Sequence, residues 1–285
     1  MGMNVDRLLE WPFQDVWQTY TVRDSLLYAL SVGFGSDPTD AEQLRYVFEK
    51  DQRVVPSMAV VLGHPGPYVT DPAAGIDFRK IVYAEQSMEL LRPLPPAATV
   101  RARERVVAVL DKGADKGTLL RTERRILDDA SGELLAVLNA TLMCRGDGGN
   151  GASHGEASPL HRMPDGEPQR IVEMATLPQA ALLYRLNGDT NPLHADPELA
   201  RRAGFERPIL HGLCSYGLAV NVLLKTWCDY DAARIASVRS RFSAPVYPGE
   251  TLIFETWRDG QTLSFRALSK ERGVKVLDNG CALLR

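Results

Sequence analysis

Between Asp189 and His194 the chain places a carboxyl group, an amide and an imidazole close together, in the run Tyr184-Arg-Leu-Asn-Gly188-Asp189-Thr-Asn191-Pro192-Leu-His194. Pro192 restricts the backbone on its N-terminal side, and Gly188 permits a turn that other residues resist. Two titratable groups held on so stiff a loop are suited to general acid–base work, which typically contributes about 10²–10⁴-fold to a rate. The same residue types also build ordinary turns, with Asp189 and Asn191 accepting from nearby backbone amides and His194 a satisfied buried histidine. At this level both readings stand.

A second segment, Arg207-Pro-Ile-Leu-His211-Gly212-Leu213, adds a different kind of group. Gly212 opens an apolar-striped stretch, so its N–H is one of the donors that a helix N-terminus leaves without an acceptor. Lacking a Cβ, it lets a ligand oxygen approach that amide. This is the arrangement of an oxyanion hole, where one donor is typically worth about 2.7–4 kcal/mol. The plain alternative is a tight helix entry with His211 as its cap. Asp189, His194 and His211 also offer three metal-ligand groups, but their spacing matches no standard zinc pattern and no metal is expected.

The elements that carry these residues can be read from periodicity. Leu213, Gly217, Val220 and Leu224 recur on one helical face, predicting a buried helix from His211-Gly212 onward, with Gly217 marking the close approach of another backbone. A shorter helix starts at Asp196 with Pro197 and Glu198 and ends at Gly204. Arg234 to Ala244, Glu250 to Trp257, Gln261 to Ser269 and Val274 to Leu284 read as strands. Thr99 to Leu110, Leu119 to Leu127 and Glu133 to Cys144 repeat the pattern earlier in the chain.

Pro93-Leu-Pro-Pro96 and Pro245-Val-Tyr-Pro248 fall at the same offset as Pro56 and Pro208, and Tyr28-Ala-Leu30 resembles Tyr184-Arg-Leu186. These matches, in the same order, indicate a duplicated unit with helical material first and strands after. Residues 1–145 and 171–285 are the expected units. The Gly- and Pro-rich stretch 146–170 between them reads as a linker, because it has little apolar surface with which to offset its ordering entropy. The expected class is α+β, a curled antiparallel sheet on helix.

At 285 residues the chain is long enough for about two domains of ordinary size and needs no disulfide or metal to hold a core. A formal charge of −3 argues against a nucleic-acid binder. No apolar run is long enough to span a membrane, and neither Met1–Trp17 nor Cys281–Arg285 is expected to act as a secretory or peroxisomal signal. Cys144, Cys214, Cys228 and Cys281 form no paired spacing and are expected to be reduced, packed thiols of a cytoplasmic protein.

With these segments in view, the chain resembles the MaoC-like dehydratase family in its hydratase 2 form. The resemblance rests on Gly188-Asp-x-Asn-Pro-Leu-His194 followed by Ala203-Gly-Phe-Glu-Arg-Pro-Ile-Leu-His-Gly-Leu-Cys214. It extends to Leu27-Tyr-Ala-Leu30, Glu85-Gln86, Pro93-Leu-Pro95, Val109 to Gly113 and Ala244 to Gly249. It implies a double hotdog, two units each with a long helix wrapped by an antiparallel sheet. The implied activity is reversible addition of water to trans-2-enoyl-CoA, giving (3R)-3-hydroxyacyl-CoA.

By the same resemblance Asp189 and His194 are the catalytic pair, Asn191 supports them, and the Gly212 N–H receives the thioester oxygen. Phe242 and Lys112 fall where the family meets acyl-CoA. Tyr83-Ala84 stands where the family has His-Gly, a departure at a substrate contact. No cofactor is implied beyond the CoA of the substrate, and a homodimer is implied. The first unit has no histidine at the His194 position. It is therefore expected to cradle the acyl chain, with Gly33, Gly35 and Ala59 leaving room for it. Arg185, Arg201, Arg202, Arg207, Arg241, Arg258 and Lys112 are the basic candidates for the CoA phosphates. A hotdog thioesterase and a non-catalytic acyl-CoA-binding protein are the competing functions. Carrier-protein thioesters and branched or dicarboxylic acyl groups stay open as substrates.

Overall fold

A computed structural model describes residues 2–285. The first half runs through α1 (Val5–Leu9), β1 (Val16–Tyr20), α2 (Val22–Ser31), α3 (Ala41–Val47), β2 (Ile81–Leu90), β3 (Ala98–Asp111), β4 (Thr118–Asp128) and β5 (Leu134–Cys144). After a short β6 (Ser153–His154), the second half comprises β7 (Arg170–Ala175), α4 (Ala180–Tyr184), α5 (Pro197–Arg202), α6 (Gly212–Trp227), β8 (Ile235–Phe242), β9 (Thr251–Asp259), β10 (Thr262–Ser269) and β11 (Lys275–Leu284).

The strands form one antiparallel sheet in the order β1-β3-β4-β5-β2-β8-β11-β10-β9-β7, with β6 against β3. The order is a palindrome: read outward from the β2–β8 seam, each unit lays down its strands in the same sequence. At the seam Glu85 faces Arg241 and Glu89 faces Ser237. The strands form where side chains alternate. In β3, Val100, Ala102 and Val106 turn inward while Arg101, Arg103 and Arg105 face out. Glu104 also turns inward, and pairs at 3.1 Å with the equally buried Arg124 of β4.

The helix α6 starts where the sequence places it and is apolar nearly all round, as a helix enclosed by sheet must be. Both units share one core: Tyr28, Val32, Tyr46 and Met58 of the first pack with Tyr216, Val220, Leu223 and Phe254 of the second. Gly217 is required by an intruding side chain rather than by backbone, since a Cβ there would lie 2.4 Å from Val32 Cγ1.

Three expectations need correction. Only the second unit has a long helix. In the first, the corresponding place is taken by a 3-10 turn, Pro56–Val61. Gly63, Pro65, Gly66 and Pro67 follow it and block propagation. A strand, β1 or β7, also precedes the main helical material of each unit, with the short α1 ahead of β1 in the first; both are edge strands too short for their alternation to be decisive.

The third concerns the segment read as a linker, which is pinned along its length. The Asp111 carboxylate accepts from the amides of Gly113, Gly149 and Gly151, and Asp147 is buried. Further along, Trp257 Nε1 donates to the Gly166 carbonyl and the His161 ring meets Ser264 Oγ at 2.7 Å. Polar bonds, not apolar burial, order this segment, so its composition could not reveal it. The four cysteines are free and buried, as expected.

Candidate active site

Asp189 follows Gly188, whose φ of +111° makes the turn that the sequence anticipates. Asp189 Oδ1 accepts from the Asn191 amide at 3.1 Å, and Asn191 Oδ1 accepts from the Leu193 amide at 3.0 Å. Asn191 is exposed and its side chain caps the 3-10 turn Pro192–His194, so it bears on Asp189 and His194 through the backbone. The turn carries His194 inward to a buried position.

The His194 ring is oriented by its own backbone surroundings. Its Nδ1 lies 2.8 Å from the Ile209 carbonyl, an acceptor only, so Nδ1 carries the proton and Nε2 keeps its lone pair. Burial holds the His194 pKa below its ordinary value, partly opposed by the Ile209 bond and the nearby Asp189. His211, the residue before α6, stacks on His194 with ring centroids 3.7 Å apart and planes 27° apart. Its Nε2 reaches toward the Asp189 carbonyl oxygen at 3.4 Å, tying the loop to the helix start. Burial, reinforced by His194, lowers the His211 pKa to about 4. Two neutral imidazoles and one carboxyl group thus share a small space, with one potential ligand atom from each of Asp189, His194 and His211 within 4.8 Å of the others. Nearly parallel rings keep their in-plane lone pairs from converging on one ion. The set suits proton transfer better than metal binding.

Gly212 is the first residue of α6, and no intrahelical carbonyl can accept its N–H. The Phe242 ring lies against it, and a Cβ at position 212 would sit 3.2 Å from that ring. Phe242 in turn meets Tyr83 edge-on at 5.5 Å. The Tyr83 hydroxyl donates to Gln86 Oε1 at 2.6 Å. Ala84 occupies the irregularity between Tyr83 and Glu85 in the pairing of β2 with β5, where the strand's side chains change face. The structure therefore sets Phe242 beside Gly212 and Tyr83 against Phe242, with Ala84 next to Tyr83 in the irregularity, although the chain departs from the family pattern at Tyr83-Ala84. Lys112 does not join them; it lies exposed in the hairpin between β3 and β4.

Gly33, Gly35 and Ala59 do not leave the room expected of them. A Cβ on Gly33 would lie 3.3 Å from Leu218 and Met174, one on Gly35 would lie 3.2 Å from Val47, and Ala59 is fully buried. Among the basic candidates, Arg185 is close enough for its charge to depress both histidines. Arg207 lies over the Tyr247 ring, and Arg241 faces Glu85 on the sheet.

Local sequence offers His211 as a helix-entry cap or a ligand group; its stacking on His194 joins segments that only the fold brings together. The sequence reading also missed a buried hydroxyl cluster behind the site. The Tyr28 and Tyr184 rings lie 6.1 Å apart, Tyr184 lies 5.0 Å from His211, and both phenols are without partners. The repeat of Tyr28-Ala-Leu30 in Tyr184-Arg-Leu186 was the available signal, since it places a tyrosine from each unit at the same depth.

Comparison with known proteins adds the following. The chain matches the MaoC like domain over residues 159–280 and the MFE-2 hydratase 2 N-terminal domain over residues 18–146. It is 36% identical to the peroxisomal enoyl-CoA hydratase 2 of Arabidopsis thaliana, over 96% of this chain and 93% of that one. Among solved structures, the MaoC-like dehydratase of Phytophthora capsici aligns with a TM-score of 0.87 at 35% identity, over 99% of both chains. A Mycobacterium tuberculosis protein with a double hotdog fold aligns at a TM-score of 0.55 and 15% identity, covering 96% and 94%, and supports the architecture alone.

Proposed function

The chain belongs to the MaoC-like dehydratase family in its hydratase 2 form, and from that premise we propose that it is an (R)-specific 2-enoyl-CoA hydratase, a hydro-lyase running reversibly between trans-2-enoyl-CoA and (3R)-3-hydroxyacyl-CoA. The observation that carries the assignment is the convergence of Asp189 and a neutral His194, its Nε2 free, beside the unpaired amide of Gly212.

In the hydration direction, Asp189 and His194 hold one water between them. His194 Nε2 takes a proton as the water oxygen bonds to the β-carbon. The electron pair of the double bond moves toward the thioester oxygen, where the Gly212 N–H and the positive end of α6 stabilise the developing charge. The proton then passes from the imidazolium to the α-carbon, so that water has been added and His194 is neutral again. Asp189 holds the water and stabilises the transient imidazolium. Asn191 supports the pair by fixing the turn on which both stand. Tyr83, Ala84 and Phe242 wall the thioester from the seam, and Lys112 contacts the acyl-CoA beyond it. No cofactor enters apart from the CoA that the substrate carries.

Exposed Leu30, Leu182 and Leu186 on neighbouring elements support a homodimer. No helix among the described residues is long and apolar enough to cross a membrane. The unpaired buried cysteines support a reducing compartment, and we place the protein in the cytoplasm. The test is incubation with crotonyl-CoA, following the ultraviolet enone absorbance and free thiol together. Loss of the enone without thiol release is the expected result. Release of thiol would favour a thioesterase, and no change in either would favour a binding protein. Chiral analysis of the product checks the (3R) configuration.

A further inference from the structure

Away from Asp189 and His194, the outer face of the sheet carries a cleft of about 190 Å³ beneath the segment Ser158–His161. The pairing of four strands builds its floor. Arg121 of β4 faces Thr141 of β5, Thr141 faces Glu85 of β2, and Glu85 faces Arg241 of β8. Arg239, two residues before Arg241 and on the same face, stands opposite Ser87. Three guanidinium groups therefore line one cleft, and Glu85 is the only carboxylate among its lining residues.

The protein's own acceptors do not satisfy these arginines. Arg121 reaches the Glu156 carbonyl and Asn139 Oδ1, both at 3.4 Å, while Arg239 reaches the Pro159 carbonyl at 3.1 Å. Arg241 Nε lies 3.5 Å from Glu85, too far for a well-formed hydrogen bond. The Nε atoms of Arg121 and Arg241 are buried with no acceptor. Each guanidinium offers more donors than these contacts use, and a buried donor without an acceptor forfeits the hydrogen bond it had in water. Such groups in a native fold call for an ion or water that meets them. The roof is fixed independently: Asn279 Nδ2 donates to the His161 carbonyl at 2.9 Å, and the His161 ring meets Ser264. The cleft is thus preformed, its lining carries three guanidinium groups against one carboxylate, the Asp278 carboxylate opposite Arg241 being engaged by Lys275, and it is rich in planar N–H forks that match tetrahedral oxyanions.

We propose that this cleft is a binding site for a phosphate-class dianion, seated between Arg121, Arg239 and Arg241 under the connecting segment. The dianion balances the two excess charges and supplies the missing acceptors, and it ties the connecting segment to the seam between the two units. Free phosphate and a phosphate group of a CoA nucleotide present the same chemistry to the site.

The test is thermal melting and calorimetric titration of the full chain with inorganic phosphate, against chloride at matched ionic strength. Wild type is expected to show a saturable rise in Tm. Arg121→Gln and Arg239→Gln are each expected to weaken half-saturation by about tenfold, the loss of one charge-assisted contact. Glu85→Gln, which removes the repelling carboxylate, is expected to tighten it, so the proposal does not depend on weakened variants alone. No saturable effect in wild type, or the same effect in all four proteins, overturns the site. Titration with CoA and the KM for enoyl-CoA then separate the sources. A raised KM in Arg239→Gln identifies a substrate phosphate, and an unchanged KM identifies the free anion. Phosphate binding is read without any enzyme assay, so its outcome is independent of the hydratase assignment.

Discussion

The Nδ1–H of His194 is committed to the Ile209 carbonyl, so the ring can act only through Nε2. His194→Ala removes that acceptor and Asp189→Asn removes the carboxyl group proposed to hold the water. Each is expected to lower kcat by about 10²–10⁴-fold while circular dichroism and Tm stay near wild type. The pH dependence follows from the same geometry. The base must be neutral, and burial lowers its pKa, so activity falls only as pH drops below the ordinary imidazole value of about 6.5, visible as the acid limb of kcat/KM. A limb above that value would contradict a buried neutral base. Stability has a matching sign. His211 titrates near 4 in the fold and at about 6.5 when unfolded, so the unfolded chain binds more protons between those values. Urea unfolding at pH 5 is therefore expected to show a lower stability than at pH 7. The residues of this site were legible as types and spacings, because a stiff loop and a helix start are local. The His194–His211 stack was not, since it joins two segments through the fold.

The helix α6 does two tasks that depend on Gly217 and Gly212 respectively. At Gly217 the Val32 side chain occupies the space a methyl group would need, and Val32 is itself fully buried. Gly217→Ala is expected to cost about 1–3 kcal/mol by overpacking, measured by denaturant unfolding, despite alanine's better helix propensity. At Gly212 a Cβ would lie 3.2 Å from the Phe242 ring, so Gly212→Ala would push against the ring proposed to wall the thioester. The start, stripe and length of α6 were readable because helical periodicity is a property of neighbouring residues. The first unit's helix was not: a strict copy of the second unit predicts one, but the Gly- and Pro-rich run after Pro56–Val61 leaves only a short turn.

The two units are joined by more than the connecting segment. Asn221 Nδ2 donates to the Val32 carbonyl at 2.9 Å, Tyr46 donates to the Tyr230 carbonyl at 2.6 Å, and the β2–β8 pairing continues one sheet through both. Expressed alone, residues 171–285 are expected to lose cooperative thermal unfolding and all activity, because α6 would expose the face that Tyr28 and Val32 now cover. A cooperative melt for that fragment would show that the second unit holds its own core. The two halves marked by the repeat are therefore parts of one body, with a shared core and a continuous sheet.

What the sequence determined by itself is local and repeated. It set the stiff loop from Gly188 to His194, the helix entry at Gly212, the alternating strands and their duplication. Backbone dihedral preferences and side-chain periodicity act between neighbours and need no closure of the fold to be expressed. What the tertiary structure decided is every meeting of distant side chains. It stacked His211 on His194, set Tyr83 of one unit against Phe242 of the other, filled the space beside Gly33, and drew the connecting segment over three arginines. Those outcomes depend on which strands pair at the seam, and that choice is made by the burial of the whole core.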